Sequence, residues 1–552
     1  MIILEELKII SQFHRIPGSE DFSKTIKFLK KIFDELGVYN TKIYEYETGK
    51  KYENFEVPLS WDPKDSELWL LEPEKKLLSS FKSCKMSLLV GSHSTNGFEK
   101  CELKDETDDD LSGKAVLVRG NVRDKFRKLI VEKGAKCLLI YYMREENEDI
   151  GRIPEKMKDT VNYLSFPRND ENLEYSPKGF SLSYSQYKFL KTLLRKGKNV
   201  KIEFFIKAKV GKNPIKVLEA RLKGNSPKIC FIAHVCHPNP GSNDNASGVY
   251  AILKLAERFA NKPVEADLTF LLLPEFSGSV SYIFNEKNSF DVVVNLDMVG
   301  EDQEKTFSSL LLVESPLPLD PTFAEILWYY LKENVPNVKG VPIKRFFLST
   351  FRAGSDHVPF IHEMVPAIHI GHWPDRFYHT SDDTPDKVDE KEIKWIVKSV
   401  ESAVRSYVSL PKKLKNIIKE RILYKTRLFL RKLENRDGSL EIGAMLKKEV
   451  KKWRVPIPLD LSEFDLRPSK SDNLKVSFKG MLGYEWLYKI EEEERKKLKK
   501  PVEIGEMITL LSRILEKEDS IITFISSYYG LPEREILKIL NVLLKGGYVR
   551  KE

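Results

Sequence analysis

Apolar positions between 19 and 37 recur at helical spacing. Phe22, Ile26, Leu29, Ile32 and Phe33 share one face, and Gly37 stands where such a helix would stop. A loop, HRIPGS, precedes it. From about 55 to 210 the pattern changes to short apolar runs between charged turns. Within it GKAVLVRG, a basic helix-like stretch and GAKCLLIYYM predict a strand, a helix and a strand. From about 213 to 410 short apolar runs (ICFIAH, LTFLLLPE, VVVNLDMVG, VPAIHIGH) alternate with helical patterns, which predicts an α/β sheet with mostly parallel central strands. In SGVYAILKLAERFA the residues Val249, Ile252, Leu255, Ala256 and Phe259 form one face, expected to pack on that sheet.

Beyond Pro411 the pattern changes again. Residues 412–432 carry nine basic side chains and one acidic one, and are read as a solvated basic helix. The last fifty residues hold two short helices across the turn LPE and then a Gly-Gly hairpin signal, a winged-helix pattern. The chain is thus divided into 1–54 with 211–410, an inserted 55–210, a basic helix and connecting region 411–500, and a winged helix 501–552.

Composition narrows the class. With 41% hydrophobic, 31% charged and 11% aromatic residues over 552 positions, the sequence specifies a folded protein of several domains. The net charge of +9 is small beside 91 basic and 82 acidic residues and gives no ground for nucleic-acid binding. Five scattered cysteines without a CxxC pair indicate neither a disulfide framework nor a zinc ribbon. No apolar run reaches the eighteen or so residues of a membrane span, and Glu5 and Glu6 interrupt the start, so a cytoplasmic protein is expected.

Seven of the nine histidines lie between 234 and 379. In an open α/β sheet, reactants bind beyond the carboxyl ends of the strands. Those ends carry His234 after ICFIA, Glu275 after LTFLLLP and Asp297 after VVVNL. Asp244 sits in a Gly/Asn loop just before a helix, where a carboxylate can reach a metal. A charge behind a run of valines, as at Asp297, is costly unless a cation or several donors meet it. Glu275 at a strand end suits a general base to an activated water. His379, between Tyr378 and Thr380 on a polar loop, is the expected distant ligand, with Asp382 and Asp383 behind it. Other readings stay open: Asp244 and Asn245 as helix caps, Glu275 as a turn residue, Asp297 as a hydrogen-bonded structural carboxylate. His357, His362, His369 and His372 are each read as ordinary polar residues.

In this order, HRIPGS, the 234–248 loop, LLPEFSGS, NLDMVG, SDHVPF and YHTSDDT resemble the motifs of the zinc aminopeptidases of metallopeptidase clan MH, which includes bacterial aminopeptidases, glutamate carboxypeptidase and glutaminyl cyclase. LSGKAVLVRG and GAKCLLIYYM are similar to that superfamily's protease-associated lid domain. The Cys-His-Pro variant of the first motif and the terminal winged helix resemble a subgroup long classed as a domain of unknown function. The resemblance implies a mixed central sheet with flanking helices, an inserted lid and a zinc-dependent hydrolase. His234, Asp244 and Asp297 would hold one zinc, Asp244 and His379 a second, with Glu275 as base and Tyr378 helping to stabilise the oxyanion.

Two positions depart from that family. Phe276 stands where a glutamate would complete the second site, and Cys236 where an aspartate would orient the first. One tightly held zinc is therefore expected, the second weak or absent unless His237 compensates. A shifted register, in which Glu275 is itself a ligand, stays open. The expected activity is an aminopeptidase acting on short peptides, with Asp356 receiving the free α-ammonium. The alternatives are an amidohydrolase acting on a nonpeptide or sugar-linked amide, and a lapsed core serving as sensor of a DNA-binding regulator. The winged helix is expected to bind a protein partner or a second copy, not nucleic acid or membrane.

Overall fold

The leading amphipathic pattern forms the helix Glu20–Glu35, whose first turn is capped by Ser19 Oγ accepting from Phe22 N–H and whose apolar face is buried. The computed structural model describes residues 5–470, 476–478, 485–515 and 517–551. The chain then builds an eight-stranded mixed sheet from β1 (Asn40–Tyr46), β2 (Ile215–Leu222), β3 (Lys228–His234), β4 (Asp267–Leu273), β5 (Val292–Leu296), β6 (Ser309–Val313), β7 (Phe346–Ser349) and β8 (Ala367–Trp373). Their order across the sheet is β1-β2-β4-β3-β5-β8-β6-β7. The central strands β4, β3, β5 and β8 run parallel, and antiparallel pairs flank them.

Strands covered on both faces read as continuous apolar runs, and β5 is buried along its whole length. The helix Gly248–Asn261 presents its expected face, Val249, Ile252, Leu255, Ala256 and Phe259, to the core. It packs on β3 and against the helices Glu20–Glu35 and Glu390–Val408. The helices Ser277–Glu286 and His357–His362 also pack on the sheet.

Between β1 and β2 the chain forms a second sheet of seven strands, with its own buried cluster that includes Trp61, Leu68, Leu117, Leu139, Phe180 and Phe204. The expected strand, helix and strand are Ala115–Arg119, helical residues 122–131 and Cys137–Tyr141, and the two strands pair in parallel.

The basic segment is the helix Lys412–Leu433, which buries Ile418, Ile422, Phe429, Leu430 and Leu433. Its cations meet acids: Arg421 and Lys425 reach Glu325 at 2.6 and 2.7 Å, and Arg427 reaches Glu463 at 3.1 Å. Helices Pro501–Leu511, Glu518–Tyr529 and Glu533–Lys545 pack on one another. The hairpin expected after Gly546 and Gly547 is replaced by a long-range pair: Val549–Lys551 runs antiparallel to Val476–Phe478. Gly547 takes a positive φ of 72° between helix Glu533–Lys545 and this strand, and among the described residues Val549–Lys551 has no partner strand next to it in the chain. Residues 471–475 and 479–484 of the region 411–500, and Glu516 and Glu552 of 501–552, lie outside the described residues. No helix among the described residues is long and apolar enough to cross a membrane.

Candidate metal centre

The carboxyl ends of three adjacent parallel strands deliver His234 (end of β3), Glu275 (two residues beyond β4) and Asp297 (first residue beyond β5) to one place. The loop after β3 adds His237 and Asp244, and the segment after β8 adds Tyr378 and His379. Asp244 lies at the centre. Its Oδ1 is 3.1 Å from His234 Nε2, which is also 3.1 Å from Asp297 Oδ1. Its Oδ2 is 3.0 Å from His379 Nε2 and 3.4 Å from His237 Nε2. Two three-residue groups thus share one carboxylate: His234, Asp244, Asp297 and His237, Asp244, His379. Donors about 2.0–2.1 Å from a tetrahedral zinc lie roughly 3.3 Å from one another, which is the spacing seen here.

The ring orientations fit a cation. His234 Nδ1 faces the Cys236 carbonyl at 3.0 Å and His237 Nδ1 the Pro238 carbonyl at 2.8 Å. A carbonyl only accepts, so each Nδ1 carries a hydrogen while each Nε2 faces carboxylate oxygens; burial opposes charge on His234, yet Asp297 and Asp244 raise its pKa well above the usual 6.5. His237 Nε2 is buried without a hydrogen-bond partner. The carboxylate oxygens call for positive charge at each Nε2, supplied by a proton or by a metal ion, and a carbonyl on the second nitrogen is the usual brace of a ligating histidine. At Cys236 the brace comes from the backbone, while its Sγ accepts the Glu275 N–H at 3.1 Å.

Each ligand is held from behind. The Asp383 carboxylate accepts the N–H groups of Asn243 (2.8 Å) and Asp244 (3.0 Å). Ser355 Oγ donates to Asp297 Oδ2 at 2.7 Å and accepts from Asn295 Nδ2 at 2.7 Å. In the HRIPGS loop, the buried Arg15 guanidinium donates to the carbonyls of Val235, Pro240 and Gly241 and to those of Ile10 and Phe13. Arg15 and His237 also exchange backbone hydrogen bonds at 2.9 and 3.1 Å. Gly241 is required there: at φ 53° a Cβ would lie 2.4 Å from His237 Nδ1.

The inserted sheet takes part in the centre. Tyr163 N–H donates to the His379 carbonyl at 2.8 Å, and Ser381 N–H to the Val161 carbonyl at 2.9 Å. These bonds support His379 in its left-handed conformation, φ 53°. The Tyr163 ring lies against His237 and His379, and Tyr378 stacks on His379 with ring centres 3.9 Å apart. Arg152 donates to the carbonyls of Arg144 and Arg376 and braces the loop that carries Tyr378.

A cavity of about 350 Å³ opens over the centre, lined among others by His234, Asp244, Glu275, Asp297, Tyr378 and His379. Burial pushes the Glu275 carboxyl well above its usual range; Asp297, Asp356 and Asp244 add to this against the pull of His234. Burial opposes charge on Asp244 and Asp297 too, yet the facing histidines hold both below the usual carboxylate range. Burial and nearby Asp244 push the Tyr378 phenol up, so that it stays a hydrogen-bond donor.

The structure therefore brings together seven of the residues singled out in the sequence: His234, His237, Asp244, Glu275, Asp297, Tyr378 and His379. Asp356 is not on the cavity wall. It is fully buried, and its Oδ1 accepts the Phe276 N–H at 2.7 Å and the Ser279 hydroxyl at 2.5 Å. Its Oδ2 is buried with no hydrogen-bond partner among the described residues, and SDHVPF places the side chain behind the Glu275 loop, outside the lining of the cavity. His362 is tied to Glu506 and His357 to Arg352 O. His369 and His372 both line the cavity, His372 with its ring also held by Met298 O and Glu392. Tyr163, Glu145 and Glu503 escaped the sequence reading because they come from the insert and the far C-terminal segment, where no spacing links them to the ligands.

Residues 218–404 match the family model described as Peptidase family M28, and every candidate ligand lies within that segment. No curated protein matches the chain. Among solved structures, a candidate peptidase from Clostridium acetobutylicum aligns over 99% of this chain and 95% of its own, at 14% identity and a TM-score of 0.52. BSAP, a zinc aminopeptidase from Bacillus subtilis, aligns over 74% of this chain and 95% of its own, at 18% identity and a TM-score of 0.51. A Peptidase M28 precursor from Shewanella amazonensis aligns over 74% and 92%, at 14% identity and a TM-score of 0.54. At these identities the likeness is one of fold. The segment that builds the centre, residues 218–404, thus matches the family model of peptidase family M28, and the chain shares its fold with these solved structures.

Proposed function

We propose that this protein is a zinc-dependent aminopeptidase that removes N-terminal residues from short peptides. The observation that carries the reading is the sharing of Asp244. One oxygen faces His234 and the other faces His237 and His379, while Asp297 completes the first group and Glu275 lies on the same cavity wall. His234, Asp244 and Asp297 would hold one zinc, and His237, Asp244 and His379 a second, with His237 taking the place that Phe276 cannot fill.

Zinc, when bound, supplies Lewis acidity toward a water and the scissile carbonyl. Glu275 takes the proton from the attacking water and passes it to the leaving amine. Its burial favours the protonated state it holds between those two transfers. The Tyr378 hydroxyl donates a hydrogen bond to the oxygen that becomes negative. Asp383, Ser355 and Arg15 hold the ligand loops, so that little reorganisation accompanies the reaction. Peptide is the proposed substrate and the inserted sheet the proposed lid, since its segment 160–163 and Glu145 border the cavity and its loops.

The test is elemental analysis of protein purified without added metal, together with hydrolysis of a panel of amino-acid anilides by wild type and Glu275→Gln. Zinc in stoichiometric amount, and hydrolysis lost in the variant, are expected. Protein that binds zinc tightly but leaves every anilide and short peptide intact would overturn the aminopeptidase reading.

A further inference from the structure

Three separate parts of the chain bound the cavity over the metal centre. The core supplies the ligands and Glu275, the inserted sheet supplies Glu145, and the helix Pro501–Leu511 supplies Glu503. The wall carries five carboxylates, and the metal groups and the base account for Asp244, Asp297 and Glu275. The two left over, Glu145 and Glu503, have no ion-pair partner among the described residues. Glu503 is half-buried while Glu145 is exposed, so Glu503 would be the more strongly felt by a ligand charge.

The C-terminal segment that carries Glu503 contacts both the core and the insert. On the core side, Glu506 meets the His362 ring and Arg513 donates to the His362 carbonyl. Nearby, the Tyr528 hydroxyl accepts the Phe351 N–H at 3.1 Å and the Tyr529 hydroxyl donates to the Phe351 carbonyl at 3.2 Å. Phe351 precedes Arg352, Ala353 and Gly354, which line the cavity, so the two tyrosines hold part of its rim. On the insert side, Arg495 pairs with Asp124 at 2.7 Å, and the Tyr488 ring meets the guanidinium groups of Arg123 and Arg495 at 4.5 and 4.8 Å. The C-terminal segment therefore runs from core to insert as a fixed wall, and an acid on it is positioned before a ligand arrives.

We propose that Glu503 receives the free α-ammonium group of the substrate, with Glu145 adding to the negative field, so that the C-terminal segment is part of the specificity wall of the site. This rests on the peptide-hydrolase reading above and names the substrate end that the wall recognises. It also gives helix Pro501–Leu511 a use that requires no nucleic acid.

The test uses the full-length, zinc-loaded protein and two probes with the same side chain: an amino-acid hydroxamate and its 2-hydroxy-acid counterpart, which lacks the cation. Binding is measured by calorimetry for wild type, Glu503→Gln and Glu145→Gln, with zinc content and thermal midpoint followed in each. Wild type should prefer the amino form by at least about tenfold, the scale of one charge-assisted hydrogen bond. Glu503→Gln should remove most of that preference with zinc content unchanged. An equal loss for both probes, or an unchanged preference in Glu503→Gln whatever Glu145→Gln does, overturns the assignment, as does a wild type without preference. Failure of the hydrolase reading looks different: a protein that hydrolyses no anilide yet keeps a Glu503-dependent preference would retain this proposal and lose that one.

Discussion

His237 presents Nε2 to Oδ2 of Asp244 at 3.4 Å, the oxygen that His379 approaches at 3.0 Å. Phe276, which cannot ligate, instead donates its backbone N–H to Asp356. The sequence expectation was one tightly held zinc, with the second weak or absent unless His237 joined Asp244 and His379. The geometry supplies a third donor from the loop after β3, and Arg15 fixes that loop through three of its carbonyls.

Wild type should therefore bind two equivalents of zinc, and His237→Ala one. Elemental analysis after exhaustive dialysis reads the difference. Two equivalents retained by His237→Ala would remove His237 from the ligand set, while one equivalent in wild type would restore the sequence expectation.

Glu275→Gln keeps the shape of the side chain and removes its basicity. Glu275 belongs to neither metal group, so zinc content should not change while kcat falls by about 10²–10⁴, the usual share of a positioned general base. Tyr378→Phe should lower kcat by about 10²–10³ if its hydroxyl donates to the oxyanion. Loss of zinc in Glu275→Gln would instead support the reading in which Glu275 is a ligand.

Arg15 is fully buried, and burial lowers its guanidinium to about 10, so it remains charged at neutral pH. Five carbonyls accept from it. Lysine has fewer donors and no fork, so Arg15→Lys strands several carbonyls at about 1–3 kcal/mol each. Urea unfolding should show a loss of roughly 3 kcal/mol or more, and the zinc bound through His237 should leave before the one bound through Asp297. Simultaneous loss of both ions would mean that Arg15 supports the whole centre and not the His237 loop in particular.

Much of the core could be read in the sequence because its strands end in chemistry: ICFIAH, LTFLLLPE and VVVNLD each place a polar ligand or base after an apolar run, and a parallel sheet aligns those ends. What escaped was long-range. Asp356 lies in a recognisable motif, yet only the packing ahead of helix His357–His362 shows that one of its oxygens accepts from Phe276 and Ser279 and that it lies outside the cavity lining. Glu503 lies 124 residues beyond His379, and no periodicity could bring it to the same cavity. The Gly-Gly signal was read as a local hairpin, whereas among the described residues the partner of Val549–Lys551 lies more than seventy residues upstream. The basic helix was legible as a helix, but the acids that answer part of its charge, Glu325 and Glu463, lie elsewhere in the chain.

His14, in the same loop as Arg15, gives the fold a pH dependence of definite sign. It is buried, accepts the Asn239 N–H on Nδ1 at 3.2 Å and lies edge-on to Trp61 and Phe81. Burial, and then Lys85 and Arg15, push its pKa well below the usual 6.5. In the unfolded chain this histidine takes up a proton as pH falls through about 6.5, whereas the folded chain does so only at lower pH. Its contribution to stability is therefore fully present above that value. Below it, stability falls by about 1.4 kcal/mol per pH unit until the folded-state pKa is reached. Replacing the ring by a group that cannot titrate should flatten the curve by one proton. The measurement is urea unfolding of metal-free wild type and His14→Asn between pH 7.5 and pH 5, with the difference between the two curves taken at each pH so that groups common to both cancel. Parallel curves across that range would show that His14 is protonated in the folded state and that burial does not exclude its charge.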